Sequence, residues 1–190
     1  MISTHQADQI LLKFADVADE HAQRFLERIK QLRRLGVPSG VPRGRGVASG
    51  RDLEQMLETA LAIRLLEGGL ASSDVARLVR EEWVLARSVL VLFDPDLINI
   101  EWPDGPPSDV FWVAAPAGLA AYRARGRELA SQPVLATILL FENGIQLEEA
   151  LDELGDGASW TLIVIRATDV VRDLLIAYAA AGAPQPNLKS

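Results

Sequence analysis

Over the first half of the chain, apolar residues recur at spacings of three and four, the period of a helix with one buried face. Ile10, Leu11 and Phe14 share such a face over Thr4 to Phe14, with Ser3 or Thr4 placed to cap the first helix. Ala15 to Ala18 forms a turn, and Asp19 offers a cap for a second helix running to about Leu35. In that helix Ala22, Phe25, Leu26, Ile29 and Leu32 form the apolar stripe, and Gly36 followed by Pro38 ends it. No period survives from Gly36 to Gly50, where Gly, Pro, Arg, Val and Ser predominate. A helix starting at Ser49 or Gly50 then carries Leu53, Met56, Leu57, Ala60, Leu61 and Ile63, and Gly68-Gly69 stops it. The next begins at Ser72 with Val75, Leu78, Val79 and Trp83 inward, and its period continues through Ala86, Val89, Leu90 and Phe93 until Asp94-Pro95.

Beyond Asp94 the texture changes. Leu97 to Trp102 alternates, a Pro- and Gly-rich loop follows, and Asp109 to Ala115 completes an expected hairpin. Val134 to Phe141 and Trp160 to Ala167 are dense in branched and aromatic residues and read as strands buried on both faces. Helices are expected at Ala117 to Ala130, at Leu147 to Leu154, and from a Thr168 cap through Val170, Val171, Leu174, Leu175 and Tyr178 to Gly182. The pattern predicts an α+β protein: a helical region over 1–93, a small α+β domain over 94–182 with a sheet of about four strands, and a tail over 183–190.

Composition narrows the chemistry. With 49% hydrophobic residues over 190 positions, the chain has enough apolar surface to fold without covalent staples. It contains no cysteine, which excludes disulfides, thiolate metal sites and a cysteine nucleophile. No stretch approaches the roughly 20 apolar residues that span a bilayer, and no secretory leader is evident, so a cytoplasmic protein with no membrane partner is expected.

Charge is distributed unevenly. From Asp19 to Arg51 eight basic residues face three acidic ones, a net +5 in a chain of net −7. The half from Asp94 onward carries six basic against fourteen acidic residues, a net −8. Clustered Arg and Lys on an otherwise acidic molecule mark the footprint of a polyanion, most often nucleic acid. Within the cluster Arg43 and Arg45 alternate with Gly44 and Gly46, which leaves two long cations on a segment able to approach a surface closely. A solvated basic face and a linker are the competing readings of the same residues.

The order of elements, together with three motifs, resembles the MerR-type winged helix-turn-helix domain. The motifs are RRLGVPSGVPRGRG from Arg33, the Ser49-x-x-Asp-Leu53 step into the third helix, and LLEGGLASSDVARLV from Leu65 to Val79. Arg24-Phe25-Leu26-Glu27 echoes the family's recognition helix, whereas Ala22, Gln23 and the glycine-free turn before Asp19 depart from it. The resemblance covers about Thr4 to Trp83. It implies an N-terminal all-α winged helix-turn-helix that binds double-stranded DNA, with the second helix in the major groove and the Gly/Arg segment as the wing. On that reading His21, Gln23 and Arg24 meet base edges, while Arg28, Lys30, Arg33, Arg34, Arg43, Arg45 and Arg51 meet phosphates.

Enzyme chemistry finds little footing. Both histidines, His5 and His21, lie near the N-terminus, away from the second half, and neither a phosphate-binding loop nor a dinucleotide fingerprint is present. Glu148, Glu149, Asp152 and Glu153 read as a solvated acidic face, and Trp102, Phe111 and Trp112 as core or interface before they read as a ligand pocket. The expectation is therefore a non-enzymatic, cofactor-free transcriptional regulator, sequence-specific for DNA and acting as a homodimer. Its alternatives are a protein-interaction or adaptor module using the basic face, and a small-molecule sensor acting through the C-terminal domain, which is also the expected place for a protein or effector partner.

Overall fold

A computed structural model describes residues 2–40, 50–87, 110–114, 138–141, 146–149 and 163–183. Four helices come first: α1 (Thr4–Phe14), α2 (Ala22–Leu35), α3 (Leu53–Glu67) and α4 (Ser72–Ala86), with a 3-10 turn at Asp19–His21 before α2. Strands β1 (Phe111–Ala114), β2 (Ile138–Phe141) and β3 (Ile163–Arg166) follow, and α5 (Ala167–Ala180) closes the described part. The protein is mostly helical with a small antiparallel sheet, an α+β arrangement in the broad sense. The sheet has three strands among the described residues, in the order β2-β1-β3, where about four were expected. Trp112 of β1 pairs with Leu140 on one side and Ile165 on the other. The expected Leu97 to Trp102 strand, the Ala117 to Ala130 helix, the extension of α4 to Phe93 and the boundary at 93/94 lie outside the described residues. Of the Leu147 to Leu154 helix only the start falls within them, where residues 146–149 are helical.

Local chemistry accounts for the helix ends. Ser3 caps α1 through a reciprocal box with Gln6, and Asp52 does the same for α3 with Gln55, two to three residues after the expected start. Gly36 takes the left-handed conformation, φ 94°, that ends α2. Two expected caps are not used. Asp19 opens the 3-10 turn, so α2 starts at Ala22 without a side-chain cap, and α5 begins at Ala167 with Arg166, not Thr168, in the cap position.

Helix α3 lies between α1, α4 and α5, which explains why every residue from Met56 to Ile63 is buried, Glu58 and Thr59 included. One apolar cluster runs from Ile2 through Leu57, Trp112 and Leu174 to Ala183, so the C-terminal helix shares its core with the N-terminal ones. Side-chain ties reinforce this packing. The indole N–H of Trp112 donates to the Ala86 carbonyl at 3.2 Å, and that of Trp83 donates to Glu54 at 3.1 Å. The Arg64 guanidinium lies 4.5 Å from the centre of the Phe14 ring and donates to Asp173 at 3.3 Å, joining α1, α3 and α5. At the end of α3, Gly68 comes so close to β3 that a Cβ there would meet Ile163 Cδ1 at 2.7 Å. β3 departs from expectation: it is an outer strand of the three, with Val164 44% exposed and Arg166 exposed, so it is not buried on both faces.

Candidate nucleic-acid interface

Helix α2 buries Ile29 and Leu32 against the core and packs on α1 and α4. At 100° per residue Gln23, Glu27, Gln31 and Arg34 fall on the opposite side, whereas Arg33 falls on the buried one. Gln23, Arg24, Glu27, Arg28, Lys30, Gln31 and Arg34 are all exposed. Arg24 and Arg28 flank one edge of this face, Arg34 lies on its midline near Gln23, and Lys30 borders the other edge. Lys30 is held at 2.6 Å by Glu27, whose carboxyl is kept below its ordinary range by that contact. Among the described residues Arg24, Arg28 and Arg34 form no salt bridge, although Arg34 is close enough to Glu27 to help lower its pKa, so three guanidiniums face solvent from one helix without a direct ion-pair partner.

The other expected contacts are placed differently. Arg33 is mostly buried and forms an ion pair with Asp8 of α1, and its Nε, also buried, has no hydrogen-bond partner. Arg51 is 4% exposed. Its backbone forms a two-way bridge with Ile2, at 2.9 and 2.7 Å, and burial, with Arg33 next, lowers the pKa of its guanidinium while Asp8 opposes the shift. Both side chains sit where phosphate does not reach them without rearrangement, and they serve to join α1, the end of α2 and the start of α3. His21 is exposed in the 3-10 turn, 3.5 Å from the Glu20 carboxylate, with Asp19 alongside. Arg43 and Arg45 lie outside the described residues.

The ends of the Gly/Arg segment are fixed to the same helix. Ser39 donates its backbone N–H to both oxygens of Glu58, at 2.9 and 2.8 Å, and its hydroxyl to Oε2 at 2.9 Å. Glu58 is 1% exposed, and that burial raises its pKa against the lowering effect of the Ser39 hydrogen bonds. The Gln55 amide donates to the Ser39 carbonyl at 3.4 Å, while the Gln55 backbone N–H donates to Asp52 at 2.8 Å. One residue of α3 therefore touches the chain where it departs and where it returns. A linker between separate bodies has no need of such closure. Sequence reasoning missed Asp8, Ser39, Gln55 and Glu58, of which Glu58 was detectable as the one acid within the apolar run of α3.

Among the described residues, no helix is long and apolar enough to cross a membrane and no group of three His, Asp or Glu side chains is placed to hold a metal ion. No protein-family model and no curated protein matches the chain.

Proposed function

We propose that the protein binds double-stranded DNA through the exposed face of α2, as a MerR-like regulator acting in a homodimer. The observation that carries this reading is the placement of Arg24, Arg28 and Arg34, exposed and outside any direct salt bridge among the described residues, on one helix in a chain of net −7. An internal role leaves such cations unexplained, since the chain has acids in excess and pairs Arg33 and Lys30 with them. Gln23 lies on the same face and is suited to adenine through paired hydrogen bonds, with Arg24 suited to guanine. Arg28 and Arg34 meet phosphates, joined by Arg43 and Arg45 from the segment that departs and returns at Gln55. With Arg33 and Arg51 occupied inside the fold, each protomer offers few contacts, and a two-fold pair supplies the remainder.

Anisotropy of a labelled duplex, bearing sites selected from random fragments, tests the reading across a salt series. Four phosphate contacts per protomer, from Arg28, Arg34, Arg43 and Arg45, give a slope of log affinity on log salt of about −3.6 per protomer. Absence of duplex binding at low salt, or equal affinity for polyglutamate, would remove the nucleic-acid assignment in favour of an acidic protein partner.

A further inference from the structure

The turn between α1 and α2 leaves a cleft of about 100 Å³ beside the exposed face of α2. Its walls are apolar: Val17 from the turn, Phe25 and Ile29 from α2, Ile63 and Leu66 from α3. Two charged side chains, Arg28 and Glu67, complete the lining. Their charges are not equivalent. Glu67 accepts a hydrogen bond from Arg64 at 2.9 Å, so its carboxylate has a partner within the chain, one that Arg64 divides with Asp173 at 3.3 Å. Arg28 is exposed and has no salt bridge among the described residues. Apolar walls with one guanidinium at the mouth that has no direct salt-bridge partner among the described residues favour an anion with a small apolar tail. Size limits that tail, since an apolar cavity of about 150 Å³ accepts a benzene ring and one a third smaller accepts about four carbons.

We infer that this cleft binds a short branched monocarboxylate, its tail among Phe25, Ile63 and Leu66 and its carboxylate on the Arg28 guanidinium. The planar fork of an arginine presents two parallel N–H groups, which match both oxygens of a carboxylate. So small a ligand makes few contacts, and its affinity falls in the millimolar range. The site does not rest on duplex binding. If both hold, Arg28 serves either a phosphate or the ligand, and the carboxylate weakens the grip on DNA.

The test uses the full-length isotope-labelled chain without DNA, titrated with sodium 3-methylbutanoate and followed by amide resonances. Two probes of matching shape, 3-methylbutylammonium and 3-methylbutan-1-ol, reverse and remove the charge. The carboxylate should give saturable shifts at Val17, Phe25, Ile63 and Leu66 with a midpoint of about 1–10 mM, and each probe should bind about tenfold more weakly. Arg28→Gln, at an exposed position, should weaken the carboxylate about tenfold and leave the alcohol unchanged. The assignment is overturned by equal affinity for the ammonium or the alcohol, by an Arg28→Gln chain that binds the carboxylate as before, or by no saturable shift at these residues up to about 50 mM.

Discussion

Glu58 gives the sharpest test of how the Gly/Arg segment is anchored. Its carboxylate receives two donors, the Ser39 N–H shared between both oxygens and the Ser39 hydroxyl. Glu58→Gln keeps the size of the side chain, but an amide has one acceptor oxygen and sets its NH2 against the other donor. A net hydrogen bond contributes about 0.5–1.5 kcal/mol and a buried donor left without its acceptor costs about 1–3, so loss of one of the two, with the remaining donor opposed, costs about 2 kcal/mol. In urea this moves the unfolding midpoint down by about 1 M, for a slope near 2 kcal/mol per M. Burial raises the folded-state pKa of Glu58 above its ordinary value. The native state therefore binds the proton more tightly than the unfolded chain, and the stability from this group is full below the unfolded pKa and is lost as pH rises through the folded one. The advantage of the wild type over Glu58→Gln is then largest near pH 4 and shrinks toward neutrality. A cycle with Ser39→Ala should show coupling of about 1 kcal/mol or more. Unfolding midpoints that coincide at low pH, or a gap that widens as pH rises, would refute the anchoring role.

Other outcomes follow from the same packing. Gly68→Ala should destabilise by about 1–3 kcal/mol, because the added methyl meets Ile163 at 2.7 Å, and Ile163→Val in the same chain should recover part of the loss by removing Cδ1; calorimetric melting reads both. Trp112→Phe leaves the buried Ala86 carbonyl without its indole donor and should cost about 1–3 kcal/mol in urea unfolding. Asp8→Ala leaves Arg33 unpaired beside buried Arg51 and should cost about 3 kcal/mol, whereas Arg24→Gln or Arg34→Gln should change stability by less than about 0.5 kcal/mol in the same assay.

Much of the helical part was legible because its period is long and its punctuation strong. α1 spans Thr4 to Phe14 as the pattern predicts, and α2 ends at Gly36, whose left-handed backbone is the reason a glycine stands there. The strands were legible in kind, and at the one end where the described residues test their extent Ala167 opens α5 instead of closing β3, since a run of branched residues marks burial but not where pairing stops. Val164 shows the limit: it reads as core, yet it is partly exposed on an outer strand of the three. The cationic surface was legible as charge and misjudged in geometry. Arg33 follows Ile29 by four residues and so falls on the buried side of α2, a consequence of the helical period that a sum of charges conceals. Arg51 carried no such mark, because its burial comes from pairing with Ile2, forty-nine positions away in sequence. Caps were ambiguous for a similar reason: Asp19 suits a helix start, but the chain uses it to open a 3-10 turn.

The placement of three exposed arginines on one helix is most directly tested by comparing duplex binding of the wild type with that of Arg24→Gln/Arg28→Gln/Arg34→Gln across a salt series. The triple variant should keep its melting temperature, lose most of its affinity, and flatten the slope of log affinity on log salt by about 2 per protomer, the share of Arg28 and Arg34. A triple variant that binds the duplex with wild-type affinity and an unchanged slope would contradict the DNA-binding reading of α2.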